Sequence, residues 1–191
     1  MKLVFATHNQ NKMKEVATLM PSYIELLSLT DIGCFDEIPE TSSTIEGNAL
    51  LKANFVKEHY GFDCFADDTG LEVQELNNEP GVYSARYAGA ANDAQANMDK
   101  LLANLNNKSN RNARFKTVIV FIQSEKTEFF TGICEGTITM DKKGASGFGY
   151  DPIFLAIGFK KTFAEMTLAQ KSKIGHRGKA VRLLINYLSK A

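Results

Sequence analysis

The chain has no excess of charge of either sign: 22 Lys and Arg are matched by 22 Asp and Glu in 191 residues. A surface built to follow duplex nucleic acid carries a basic surplus, so polymeric nucleic acid is not an expected partner. The balance leaves room for a local basic pocket that takes one phosphorylated small molecule. Cysteine is scarce as well. Cys34, Cys64 and Cys134 are odd in number, widely spaced and form no Cys-x-x-Cys. That speaks against a disulfide framework or a zinc site, and for buried thiols in a reducing compartment. Long apolar runs are missing too. The N-terminus has one Lys and then only Leu3 to Ala6, too short for a signal peptide, and nothing approaches a membrane-spanning length. A cytoplasmic protein with no membrane partner is expected. No repeat, low-complexity tract or linker is visible, and with 44% hydrophobic residues one domain, 1–191, has enough apolar material for a core.

What is present is organised around Ala66-Asp67-Asp68-Thr69-Gly70-Leu71. Phe62 to Phe65 reads as a strand that gives way to a turn at Gly70, and Leu71 to Leu76 reads as the next strand. Two adjacent carboxylates ionise at a cost unless a cation is near. Mg²⁺ suits them, because it takes hard oxygen ligands and is usually held by one or two carboxylates plus phosphates. A solvated Asp-Asp-Thr-Gly turn fits the same residues.

The first apolar run, Lys2 to Ala6, reads as a buried strand. It leads through Thr7-His8-Asn9-Gln10-Asn11-Lys12 into a helix from about Lys12 to Met20, stopped by Pro21. A helix N-terminus with free N–H groups and Lys12 beside it is an anion site; a plain Thr/Asn cap fits equally. The glycines of a P-loop are absent. Glu40 follows Pro39 in a polar stretch, as a surface carboxylate or as a second metal carboxylate. Thr44 to Tyr60 carries the helical spacing Ala49, Ala53, Val56, Tyr60, with Gly61 as its C-terminal cap. Asn48 and Lys52, four apart, share a face of that helix.

Further on, Met98, Leu101, Leu102 and Leu105 mark a core-facing helix over 92–104. Arg114 to Gln123 and Thr127 to Met140 are the most strand-like segments, joined as a hairpin by Ser124-Glu125-Lys126. Alternating βα units followed by such strands predict one mixed sheet with helices packed on it. Gly147-Phe148-Gly149-Tyr150-Asp151 is an irregular loop whose aromatics suit stacking on a flat ring or docking on the core. Lys171, His176 and Arg177 lie before and at the start of the C-terminal helix, as a basic solvated loop or as a fork of fixed donors. The marks fall into three chemical groups. Glu40, Asp67 and Asp68 suit a divalent metal. Thr7, Asn9, Lys12, Asn48, Lys52 and Lys171 suit a polyphosphate. Phe148, Tyr150, His176 and Arg177 suit a heterocyclic base. Together they point to a nucleotide enzyme, without saying which phosphate bond is cut.

Thr-x-Asn-x-x-Lys after the first strand, Ala-Asp-Asp-Thr-Gly-Leu, Pro-Gly-Val-Tyr-Ser-Ala-Arg-Tyr, Gly-Phe-Gly-Tyr-Asp-Pro and His-Arg-Gly occur in order over nearly the whole chain. In this the sequence resembles the inosine triphosphate pyrophosphatase family. The resemblance implies an elongated, twisted mixed α/β sheet flanked by helices, two lobes around a central cleft, and a homodimer. It implies Mg²⁺-dependent hydrolysis of ITP, dITP and XTP to the monophosphate and pyrophosphate. Carried over by position, it makes Asp68 the catalytic carboxylate and a metal ligand, with Glu40 as the second ligand. Substrate contacts fall to Thr7, His8, Asn9, Gln10, Asn11, Lys12, Asn48, Lys52, Thr69, Phe148, Gly149, Tyr150, Asp151, Lys171, His176 and Arg177. The sequence departs from the family pattern at His8, often Gly, and at Thr69 and Gly175, both often Ser.

Overall fold

The computed structural model describes residues 1–190. In chain order its elements are β1 (Lys2–Phe5), α1 (Gln10–Ala17), β2 (Glu25–Leu27), α2 (Ile45–Tyr60), β3 (Cys64–Val73), β4 (Pro80–Gly81), α3 (Ala94–Asn104), β5 (Asn112–Gln123), β6 (Lys126–Ile138), β7 (Phe154–Ala156), α4 (Leu168–Ile174) and α5 (His176–Leu188). The sheet is mixed and seven-stranded, ordered β2-β1-β3-β5-β6-β7 with β4 on β3. β1 pairs in parallel with both β2 and β3, as crossover helices require. β4 returns antiparallel on the end of β3, Leu71 opposite Gly81, and β7 lies antiparallel on β6. Among the described residues no helix is long and apolar enough to cross a membrane.

Local chemistry sets most boundaries. Asn9 caps α1, its side chain accepting from the N–H groups of Asn11 and Lys12 at 3.0 and 3.1 Å, so the helix begins at Gln10, two residues earlier than its periodicity suggests. Thr44 caps α2 by accepting from Gly47 N at 3.0 Å, and Gly61 closes it in the left-handed conformation, φ +73°. One expectation is corrected. No turn occurs at Gly70: β3 is a single ten-residue strand through Asp67, Asp68 and Gly70. Asp and Gly favour turns in isolation, but neighbouring strands supply ladder partners here and the segment is buried on both faces.

The chain divides into two compact units interleaved in sequence, with β3, β5 and β6 contributing to both. The first comprises Met1–Asp68, Thr117–Gly132 and the chain from Arg177. Its core packs Leu3, Phe5, Phe65, Ile119 and Phe121 of the sheet against Val16 of α1 and Val181 and Leu184 of α5. The Phe5 and Phe65 rings stack at 4.6 Å. The second comprises Thr69–Lys116 and Ile133–His176. It buries Leu71, Val73, Phe115, Ile138 and Phe154 with Met98 and Leu101 of α3 and with Phe163, so the predicted stripe of α3 is core. Each such fully buried side chain stabilises its unit by about 1.5–3 kcal/mol.

Candidate active site

In the first unit, β3 ends in the pair Asp67-Asp68. Successive strand residues face opposite sides of a sheet, and the contacts follow that rule. On one side Asp67 meets helices α1 and α5: Lys12 Nζ lies 2.9 Å from its Oδ1 and Arg177 Nε donates to its Oδ2 at 2.9 Å. On the other side Asp68 meets α2: Asn48 Nδ2 approaches its Oδ2 at 3.4 Å and Lys52 Nζ lies 3.8 Å from its Oδ1. Phe65 shares the side of Asp67, while Cys64 shares the side of Asp68 and donates its thiol to Ala53 O of α2. The two adjacent acids therefore serve different neighbourhoods.

Asp67 is a structural anion. Burial pushes its carboxyl up, but Lys12, Arg177 and Lys52 outweigh that and hold it well below the usual carboxylate range. Arg177, 2% exposed, also donates through Nη1 to Glu15 Oε2 of α1. Burial works against the guanidinium's charge, yet Asp67 and Glu15 raise its pKa and keep it protonated. For Lys12 the balance is opposite: burial outweighs Asp67, with Lys52 and Arg177 adding to it, and its pKa is lowered.

The Asp68 side holds the second carboxylate predicted from sequence. Glu40 accepts a short hydrogen bond from Lys52. The same ammonium therefore touches Glu40 and approaches Asp68. Burial depresses its pKa, but Asp68, Glu40 and Asp67 prevail and raise it. Asn48 fixes the frame by accepting Ser42 N at 2.9 Å while its amide faces Asp68. Thr7 is half-buried and accepts from Asn9 N at 3.1 Å; His8, Asn9, Gln10 and Asn11 are exposed at the α1 N-terminus. His8 Nε2 lies 2.9 Å from Asp36 O. The cap and the exposed helix start coexist here, because Asn9 satisfies two N–H groups while Lys12 turns to Asp67.

In the second unit, Asp151 is 2% exposed and accepts through Oδ2 from Lys171 Nζ at 2.6 Å and from Phe148 N at 2.9 Å. Lys171 Nζ lies 4.8 Å from the centroid of the Phe148 ring, a cation–π distance. The glycine before Phe148 is required: a Cβ on Gly147, φ +77°, would come 2.0 Å from Asp151 Oδ2. Gly149 follows at φ +63°, and the buried Tyr150 hydroxyl donates to Ser84 O at 2.8 Å. Burial pushes that hydroxyl's pKa up. His176 is 3% exposed and stacks on Phe115 at 4.4 Å. Thr69, the residue after Asp68 on β3, is half-buried. Lys171, His176 and Arg177 are all buried, so they form no solvated loop.

Sequence reading passed over Glu15, Ser84 and Phe115. A signal existed for Glu15: it lies three residues after Lys12, hence on the same helical face. Ser84 lies inside the Pro-Gly-Val-Tyr-Ser-Ala-Arg-Tyr motif, but its link to Tyr150 is distant in sequence, as is that of Phe115 to His176, and neither link left a local signal.

A mixed sheet with flanking helices, in which a lysine of α2 approaches a buried carboxylate of β3, defines an α/β protein. The chain belongs to the Ham1 family, whose model matches residues 3–187. The dITP/XTP pyrophosphatase of Christiangramia forsetii is 59% identical over 190 residues, 100% of each chain. That of Porphyromonas gingivalis is 48% identical over 188 residues, 98% of this chain and 97% of its own. The solved structure of a HAM1 protein from Coxiella burnetii matches with a TM-score of 0.92 at 34% identity, covering 100% of both chains. The family resemblance and the mixed-sheet fold expected from the motifs are therefore correct.

The family implies a divalent metal, and the geometry fits one. Glu40 and Asp68 come from different segments yet converge on one cationic group, the Lys52 ammonium. Among the described residues no cluster of three or more His, Cys, Asp or Glu forms a complete protein cage. Two carboxylates suit a hard ion that keeps waters and takes substrate phosphates.

Proposed function

We propose that this protein hydrolyses non-standard purine nucleoside triphosphates, ITP, dITP and XTP, to the nucleoside monophosphate and pyrophosphate. It is a nucleoside triphosphate pyrophosphatase that cleanses the nucleotide pool. The observation that carries this reading is Asp68, a buried strand carboxylate facing Asn48, Lys52 and Glu40, in a chain that matches relatives named dITP/XTP pyrophosphatase over its whole length. Mg²⁺ is the metal, held by Glu40 and Asp68; when bound it neutralises phosphate charge and stabilises the leaving pyrophosphate. The working unit is a homodimer in the cytoplasm.

The chain's own groups divide the work. Lys12, Lys52 and the N–H groups and amides of Thr7 to Asn11 receive the triphosphate, with Asn48 and Thr69 beside it. Asp68 orients a water molecule and takes its proton as the oxygen attacks the α-phosphorus in line. Such a reaction needs positioning and charge stabilisation more than covalent chemistry. Phe148 stacks on the base, held by Gly149, Tyr150, Asp151 and Lys171. His176 and Arg177 donate to the 6-oxygen of hypoxanthine or xanthine, Arg177 being set in place by Asp67 and Glu15. Adenine offers an amino donor there and would leave them unpaired, and a site built on hydrogen bonds rejects such a partner by about 10⁴-fold.

A substrate panel tests the reading: ITP, XTP, dITP, GTP, ATP and dTTP, with and without Mg²⁺, followed by pyrophosphate release. Mg²⁺-dependent turnover concentrated on ITP, XTP and dITP is expected. GTP is the demanding control, because guanine shares the 6-oxygen. Preference for a pyrimidine would assign the fold to another pyrophosphatase, and no turnover on any triphosphate would leave only a binding module.

A further inference from the structure

Lys52 stands where the reading above puts a divalent ion. Its ammonium bonds Glu40 and lies 3.8 Å from Asp68 Oδ1, and the residue is 7% exposed. The three groups come from separate segments: Glu40 from the stretch before α2, Lys52 from inside α2, Asp68 from β3. Asn48 braces them, its oxygen on Ser42 N and its amide toward Asp68. Two converging carboxylates are stable only with positive charge beside them. Here the chain supplies that charge from its own helix, through the Lys52 ammonium on Glu40 and near Asp68. An ammonium and a divalent ion cannot share one position, since like charges about 4 Å apart in a buried site repel strongly.

We propose that Lys52 is a tethered competitor for the metal position. In the nucleotide-free protein it closes Glu40 and Asp68 to free divalent ions. It leaves them only when a triphosphate offers it another anion, so that metal affinity is conditional on nucleotide. This rests on Glu40 and Asp68 being the metal carboxylates. The coupling is reciprocal, as for any two linked ligands: the ion and the triphosphate each strengthen the other's binding, and Lys52 carries most of that effect.

The probe is Mn²⁺, its binding followed by electron paramagnetic resonance. Nucleotide-free wild type is compared with Lys52→Met and Lys52→Ala, and then each with a non-hydrolysable ITP analogue. Lys52→Met is expected to bind Mn²⁺ at least tenfold more tightly than wild type without nucleotide, and to gain less from the analogue. In Lys52→Ala, propylammonium added to fill the vacated space should weaken Mn²⁺ binding again, a readout that a merely damaged variant does not give. Mn²⁺ binding that is unchanged or weaker in both variants, while wild type with analogue still binds Mn²⁺ through Glu40 and Asp68, overturns the role of Lys52 alone. If tight binding in Lys52→Met survives Glu40→Gln together with Asp68→Asn, the ion sits elsewhere, and the metal assignment falls along with this proposal.

Discussion

The two units handle buried charge differently. In the first, five ionisable groups from four elements interlock: Glu15 and Lys12 on α1, Asp67 on β3, Arg177 on α5, and Lys52 on α2 nearby. In the second, one pair, Asp151 and Lys171, sits among the rings of Phe148 and Phe163. A network spreads each charge over several partners and fixes where helices meet strands. A pair set against aromatic faces and tied to Phe148 N fixes one loop.

The largest effect expected is at Asp68. Asp68→Asn should lower kcat by about 10²–10⁴-fold, the usual range for loss of a general base, while the ITP analogue still binds; steady-state kinetics with equilibrium titration checks this. Arg177→Ala comes next. It takes the guanidinium from between Asp67 and Glu15, leaving Lys12 on Asp67, and should destabilise the fold by about 3–5 kcal/mol, read by urea denaturation, as well as narrowing the ITP-over-ATP ratio. His176→Ala should narrow that ratio with less loss of stability, because it removes a ring stacked on Phe115 rather than the guanidinium that bridges Asp67 and Glu15. Equal destabilisation by both would erase the distinction between the units.

Asp151→Asn tests the second unit. It leaves the Lys171 ammonium with a neutral neighbour and weakens the tie to Phe148 N, so KM for ITP should rise about tenfold, on the order of 1.4 kcal/mol, with kcat less affected. A last expectation concerns pH. The Asp67 pKa is lowered by folding, so its stabilisation is complete above the ordinary carboxylate value and is lost progressively as pH falls from there through the depressed folded value. Wild type should lose on the order of 2 kcal/mol of unfolding free energy on this account below about pH 4. Asp67→Asn should be less stable at neutral pH but flatter in acid, as urea midpoints across that range would reveal.

Much of the site was legible because its residues come in local patterns. Thr44, Gly61 and the α2 periodicity follow from propensity, and Asn48 and Lys52 share a face by helical spacing. Asp67-Asp68 could be singled out but not apportioned. The reading as a turn failed because it used local preference where sheet pairing decided. Once the segment is a strand, alternation sends the two acids to opposite sides. Arg177 and His176 likewise look alike as neighbouring donors, and only their partners, Glu15 and Asp67 for one and Phe115 for the other, separate them.

By itself the sequence determined which chemistry this protein carries: the acids, lysines and rings, the helices that bear them, and the motif order that places the chain in its family. These depend on residue type and short spacing, which the chain states directly. Only the tertiary structure decided the pairing, that Lys52 lies on Glu40 and Asp68, that Asp67 anchors Arg177, and that Asp151 holds Lys171 under Phe148. Those contacts join residues up to 110 positions apart, and they exist because burial of the sheet and helices forces charges that must be neutralised into the same small spaces.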